Sequence, residues 1–244
     1  VGHKCLTLPT SNGKITAEQV DTLIINHYND ASAEHTVQPG IVYISFPTES
    51  GTLYSKQELT ELYAVCQTHN IPLFIDGARL GYGLMAKNND VTFEDIANLC
   101  DVFYIGGTKV GALFGECIVI LNDLYKKDFR YSIKQHGGML AKGRMLGIQF
   151  EELFKDNRYL TISKHAIDMA DILTEGFQSK GYSFFFPAET NQLFPIFENT
   201  KLEELSQEFA FTPWIKIDET HTAVRFVTSF ATKRKNVEYL LTKI

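Results

Sequence analysis

Excess basic charge is missing from this 244-residue chain: 23 lysines and arginines stand against 29 aspartates and glutamates, a formal net charge of −6. That balance leaves no footprint for a phosphate backbone or an anionic membrane, so neither nucleic acid nor membrane is an expected partner. Long apolar runs are missing too. None approaches the ~20 residues a membrane span requires, and no basic-then-apolar signal peptide opens the chain. Cysteine is scarce and scattered: Cys5, Cys66, Cys100 and Cys117 fall singly, with no CxxC pair. This predicts reduced thiols in a cytoplasmic protein and no metal site. The chain begins Val1-Gly2-His3-Lys4 and has its first methionine at Met85, so a fragment or a processed chain is expected. What remains, 44% hydrophobic and 21% charged residues, is an ordinary globular mixture that folds around a real core and suits small-molecule chemistry.

Segments rich in β-branched and aromatic residues alternate with helix-period segments through the first two thirds of the chain, the pattern of an α/β domain with a mostly parallel sheet. Thr16-x-x-Gln19, Ser55-x-x-Glu58 and Thr92-x-x-Asp95 are capping-box signals that predict three helix starts. Between and after them, Ile41 to Ile44 reads as a buried strand, and Leu73 to Ile75, Val102 to Ile105 and Cys117 to Ile120 as three more strands. Residues from about Tyr131 to Lys180 turn helical, with one break near Lys155 to Tyr159. Beyond them, strands are expected at Tyr182 to Phe186, Gln192 to Phe197, Trp214 to Ile217 and Ala223 to Thr228, with helices at Leu202 to Phe209 and Lys233 to Leu241. The reading is a large domain over residues 1–155, incomplete at its N-terminus, and a small α+β domain over 156–244.

Ligands of open α/β sheets sit beyond the carboxyl ends of the strands, and two such places carry chemistry. Phe74-Ile75-Asp76-Gly77-Ala78-Arg79 puts a carboxylate at a strand end and a guanidinium three residues on, with a glycine that permits a tight turn. Asp76 as a helix cap paired with Arg79 is the plainer alternative for that motif alone. Tyr104-Ile105-Gly106-Gly107-Thr108-Lys109-Val110-Gly111 brings a lysine out of a strand into a glycine-rich, nearly uncharged stretch, where desolvation would free its amine as a nucleophile toward an aldehyde. Pyridoxal phosphate requires both parts, a lysine amine and a carboxylate against its ring nitrogen. Asp76 and Lys109 supply them from adjacent βα units.

At these residues the chain resembles the low-specificity L-threonine aldolases of the β-eliminating lyase group, pyridoxal-phosphate enzymes of the aspartate-aminotransferase fold. The resemblance rests on Asp76-Gly77-Ala78-Arg79, on Gly107-Thr108-Lys109, on His136-Gly137-Gly138-Met139, and on Ala223-Val224-Arg225-Phe226-Val227-Thr228-Ser229. It implies that Lys109 binds the cofactor covalently, that Asp76 partners the pyridine nitrogen, and that Arg79 and Arg225 hold the substrate carboxylate. Where many bacterial aldolases place a histidine near the substrate hydroxyl, this chain reads Pro47-Thr48-Glu49-Ser50-Gly51, which makes Glu49 a candidate catalytic residue. The family's phosphate-reaching arginine after the GGM motif is replaced by Leu140, and Lys142 or Arg144, one helical step on, can substitute. No segment matches the family's phosphate cup or its ring-stacking histidine. A homodimer or homotetramer is implied, since the family builds its sites at subunit interfaces.

The reaction these resemblances imply is cleavage of β-hydroxy-α-amino acids, L-threonine or L-allo-threonine giving glycine and acetaldehyde. β-Elimination and transamination are the enzymatic alternatives, because Asp76 and Lys109 serve them equally. A non-catalytic fragment is the alternative from another class. The remaining histidines lack ligand spacing and read as surface or capping residues, and neither GxSxG nor a nucleotide-binding glycine pattern is present.

Overall fold

The computed structural model describes residues 2–244. All three capping boxes form, each with its hydroxyl accepting from a backbone N–H and its reciprocal side-chain bond. They start α1 (Ala17–Asn29), α2 (Lys56–Thr68) and, after the short uncapped α3 (Leu80–Leu84), α4 (Phe93–Asn98). His69, the residue that ends α2, places its ring Nε2 2.6 Å from Asp21 of α1 and ties the two helices together.

The first sheet runs β1 (Val42–Ser45), β2 (Leu73–Asp76), β3 (Val102–Gly106) and β4 (Glu116–Ile120), the first three parallel and β4 antiparallel to β3. Alternation along the strands sends Val42, Ile44, Leu73, Ile75, Phe103 and Ile105 into one core, which they share with buried residues of α1, α2 and α4. Tyr43, Phe74 and Tyr104 point the other way. Here the expectation of a buried strand over 41–44 fails: Tyr43 is 55% exposed and Ile41 56%, because the helices named pack into the opposite face of the sheet.

The helical stretch breaks twice rather than once. α5 (Phe129–Gln135) ends before Gly137, whose φ is +76°, and α6 (Arg144–Phe154) gives way to α7 (Arg158–Ser179) through Asp156 and Asn157, both left-handed. The second sheet is antiparallel and centred on β8 (His221–Val227). It pairs with β5 (Gln192–Leu193) and β6 (Ile196–Glu198) and also with β7 (Thr212–Lys216). The expected strand at 192–197 is split at Pro195, which has no N–H for the ladder. The one expected at 182–186 reduces to a single bridge between Phe184 and Pro195. α8 (Asn199–Leu205) and α9 (Arg234–Lys243) complete this part.

Two apolar cores result, and α7 serves both. Tyr159, Ala166 and Ile167 belong to the first, whereas Met169, Ala170, Leu173 and Phe177 belong to the second with Phe197, Val224 and Phe226. The expected boundary at 155/156 precedes the whole of α7, yet the first half of that helix packs with the larger sheet.

Candidate active site

Asp76 stands at the carboxyl end of β2, on the open face of the sheet. The register that sets Ser45 beside Asp76 and Ile75 beside Phe103 brings it between two phenols of the neighbouring strands. Tyr43 donates to Oδ2 and Tyr104 to Oδ1, while the Ala78 N–H donates to Oδ1 at 2.9 Å. Desolvation, reinforced by the adjoining carboxylate, holds both phenols well above their ordinary range, so they remain donors. A carboxylate offers about four acceptor positions; these three bonds leave room for one further donor. Asp76 is not spent on Arg79, with which it forms no ion pair among the described residues, so the plainer capping reading does not account for it.

The glycines around Asp76 are required by contact. Gly77 does not take a positive φ, but a Cβ there would lie 2.0 Å from the Tyr104 carbonyl oxygen, and one on Gly106 would lie 2.2 Å from that of Ala78. The Gly106 N–H donates to the Gly77 carbonyl at 2.8 Å. The turn after β2 therefore locks against the end of β3, and the tight-turn reason expected for Gly77 gives way to close approach of two backbones.

Lys109 lies in the single 3₁₀ turn Thr108–Val110 that follows β3. The turn is held from below: Tyr82 of α3 donates to the Lys109 carbonyl, and Glu116 of β4 accepts from the Gly107 N–H at 2.7 Å. The side chain is exposed, and among the described residues its amine has no hydrogen bond or ion pair. This corrects the expectation of a desolvated lysine. The uncharged stretch packs through its backbone and Val110, and the amine projects from it.

Glu49, Arg79 and Arg225 converge from three parts of the chain. Arg79 Nη1 donates to Glu49 Oε2 at 2.9 Å and Arg225 Nη1 to Oε1 at 2.7 Å, so one carboxylate bridges two guanidiniums. Glu49 sits in the turn after β1, where Thr48 and Thr52 share a 2.7 Å hydroxyl bond and Gln192 donates to the Glu49 carbonyl at 3.2 Å. Gly51 completes that turn at φ +78°, and a Cβ there would meet the Gln192 carbonyl oxygen at 2.7 Å. Arg225 comes from β8 and lies over the Trp214 ring at 5.3 Å. Its Nε is buried without a partner among the described residues.

Lys142 and Arg144 are exposed, in the turn before α6 and at its first residue, and bond to none of the residues above. A hollow of about 210 Å³ beside the arginine cluster is lined by Tyr43, Ser45, Thr48 and Glu49 among others. A larger one of about 480 Å³, at Met85, Leu160 and His165, includes none of the candidate residues. Sequence reasoning missed Tyr43, Tyr104, Gln192 and Trp214. Tyr104 was the one within reach, since parallel register carries it level with Asp76; the others are brought in by pairing and by the approach of the second sheet.

The donor set fits pyridoxal phosphate at two points, Asp76 with one acceptor position left for a ring N–H and a free lysine amine beyond the next strand, and the two arginines beside them suit the carboxylate of an amino-acid substrate. The comparisons agree. A family model described as β-eliminating lyase matches residues 1–200. The structure of threonine aldolase from Leishmania major superposes with a TM-score of 0.94 at 43% identity, over 99% of this chain and 69% of that one. A low-specificity L-threonine aldolase of Pseudomonas sp. (strain NCIMB 10558) is 29% identical over 100% of this chain and 68% of its own length, so the chain spans about two thirds of these relatives. Aspartate aminotransferase of Thermus thermophilus shares the fold at 15% identity, with a TM-score of 0.62 over 86% of this chain and 58% of that one. Strand-end carboxylate, following lysine, fold and sequence all lead to one assignment: the chain belongs to the β-eliminating lyase family.

Proposed function

We propose that the protein is a pyridoxal-phosphate-dependent carbon–carbon lyase that cleaves β-hydroxy-α-amino acids, L-threonine or L-allo-threonine, to glycine and acetaldehyde. The observation that carries this reading is the juxtaposition, at one end of the sheet, of an Asp76 carboxylate with an open acceptor position and an arginine pair suited to a carboxylate. Lys109 follows in the turn after the next strand. When bound, pyridoxal phosphate supplies an electron sink for the charge left on Cα as the Cα–Cβ bond breaks.

Asp76 holds a proton on the ring nitrogen by charge, and Tyr43 and Tyr104 fix the carboxylate's orientation for that bond. Lys109 offers an unengaged amine to the cofactor aldehyde. Arg79 and Arg225 hold the substrate carboxylate and so set which Cα bond is presented for cleavage. Glu49, the anion nearest that seat, takes the β-hydroxyl proton. Lys142 and Arg144 reach the phosphate of a neighbouring subunit's site in a homodimer or homotetramer, a role their exposure allows. The free cysteines, two of them buried, suit a cytoplasmic setting.

The test is product analysis. The protein supplied with pyridoxal phosphate and L-threonine or L-allo-threonine is expected to yield glycine and acetaldehyde in equal amounts. Ammonia with a keto acid would mean β-elimination, and conversion dependent on an added keto acid would mean transamination.

A further inference from the structure

The bridge between Glu49 and the two arginines bears on which substrates the seat accepts. Arg79 and Arg225 carry two positive charges, and Glu49 returns one negative charge at 2.9 and 2.7 Å. The arginine side chains are 13% and 22% exposed and that of Glu49 56%. The cations are thus set in the protein wall, and the anion faces the open side from which a ligand arrives. Two guanidiniums present ten N–H donors, of which Glu49 engages one on each. Arg225 Nη1 also reaches Gln192 Oε1 at 3.5 Å, and the Arg225 Nε is buried out of a ligand's reach; the other guanidinium N–H groups have no partner among the described residues, so the pair retains donors for a second carboxylate.

Hydrogen-bonding capacity therefore exceeds charge capacity. With Glu49 in place the cluster has a net charge of +1. One substrate carboxylate neutralises it, but a second would leave an uncompensated anion beside the Glu49 carboxylate, and like charges at contact distance repel strongly in a partly desolvated site.

The geometry points to Glu49 as the specificity-determining residue of the site: a built-in carboxylate that fills one half of a two-arginine seat. It admits β-hydroxy-α-amino acids with uncharged side chains and rejects those with an acidic side chain, the β-hydroxyaspartate class. This rests on the reading of Arg79 and Arg225 as the substrate-carboxylate seat. Removing the charge while keeping the shape, as in Glu49→Gln, raises the cluster to +2 and opens it to a dicarboxylate. Glu49→Asp keeps the charge and should keep the preference. The backbone of the turn is held by Thr48, Thr52 and Gln192, so neither substitution removes the bonds that place residue 49.

The experiment is a binding titration of the 244-residue chain at low ionic strength, with propionate as the monocarboxylate probe and succinate as the dicarboxylate. It is followed by NMR through the side-chain Nε–H signals of labelled arginines. Neutralising Glu49, as Gln or as Ala, is expected to tighten succinate relative to propionate by about tenfold, with Glu49→Asp at the wild-type ratio. A ratio unchanged within about twofold in both neutral variants, while Arg225→Lys or Arg79→Lys still weakens propionate, overturns the proposal and leaves the arginine seat standing. Propionate binding indifferent to both arginine substitutions removes the seat itself, and the proposal with it.

Discussion

At the residue scale the site consists of side chains whose partners are already chosen and one whose partner is not. Lys109 is the latter. Its amine makes no contact that the fold uses, so Lys109→Ala should abolish turnover and covalent retention of the cofactor while leaving the melting temperature within a degree or two of wild type, as expected for an exposed surface truncation. Calorimetry beside a turnover assay checks both halves, and turnover at the wild-type rate would remove the assignment. Asp76 differs because its carboxylate is shared among Tyr43, Tyr104 and the Ala78 N–H. Asp76→Asn keeps the shape and loses the charge that holds a ring proton. Turnover should fall roughly a hundredfold, the scale of losing a positioned proton-holding group, with a much smaller loss of bound cofactor. Equal losses in both would mean that Asp76 serves structure alone.

At the scale of elements, the turn after β2 and the end of β3 act as one interlocked piece. Gly77→Ala forces a methyl to 2.0 Å from the Tyr104 carbonyl, and backbone cannot yield as a flexible side chain does. A destabilisation of roughly 1–3 kcal/mol is expected, the range for overpacking, and the shift of β3 should carry Tyr104 away from Asp76. Urea unfolding measures the first effect and cofactor affinity the second. The α4 capping box supplies a pH test. Asp95 is pulled down to about 2, first by the Lys56 ammonium at 2.6 Å and then by the Thr92 hydroxyl and N–H. Its unfolded value is about 3.9. A carboxyl depressed on folding contributes stability above the unfolded value and loses it as pH falls toward the folded one. The stability gap between wild type and Asp95→Asn should therefore be full at neutral pH, narrow below about pH 4 and close near pH 2, as read by denaturant titrations at several pH values.

At the scale of the whole molecule, the question is how two lobes make one site. The Glu49 turn is fastened to the second lobe, since Glu189 accepts from the Leu53 N–H at 2.8 Å and Thr190 donates to the Gly51 carbonyl at 2.9 Å. Arg225 then arrives from the sheet of that lobe. The proposed role of Lys142 and Arg144 in a neighbouring subunit's site makes a definite prediction. Lys109→Ala chains and Lys142→Ala/Arg144→Ala chains should each be inactive, and mixing them under exchange should restore activity in hybrid dimers that hold one intact composite site. Recovery should approach about a quarter of the wild-type level for random pairing in a two-fold dimer. No recovery, with hybrids demonstrated by mass spectrometry, would place the phosphate contacts within one chain.

The sequence by itself determined the parts governed by neighbours along the chain. Capping boxes at Thr16, Ser55 and Thr92 set three helix starts because the hydroxyl and its reciprocal partner lie three residues apart. Runs of apolar, β-branched and aromatic residues marked the strands, and Asp76 and Lys109 were readable because each stands at or just past the end of a strand of its own βα unit. Tertiary structure decided what depends on distant segments meeting. Only strand register placed Tyr43 and Tyr104 on the Asp76 carboxylate. Only the approach of two backbones explains Gly77, and a missing N–H at Pro195 divided the single strand expected over 192–197. Only the packing of the second lobe against the turn after β1 put Glu49 between Arg79 and Arg225. These outcomes turn on distance across the fold, a quantity that local periodicity does not encode.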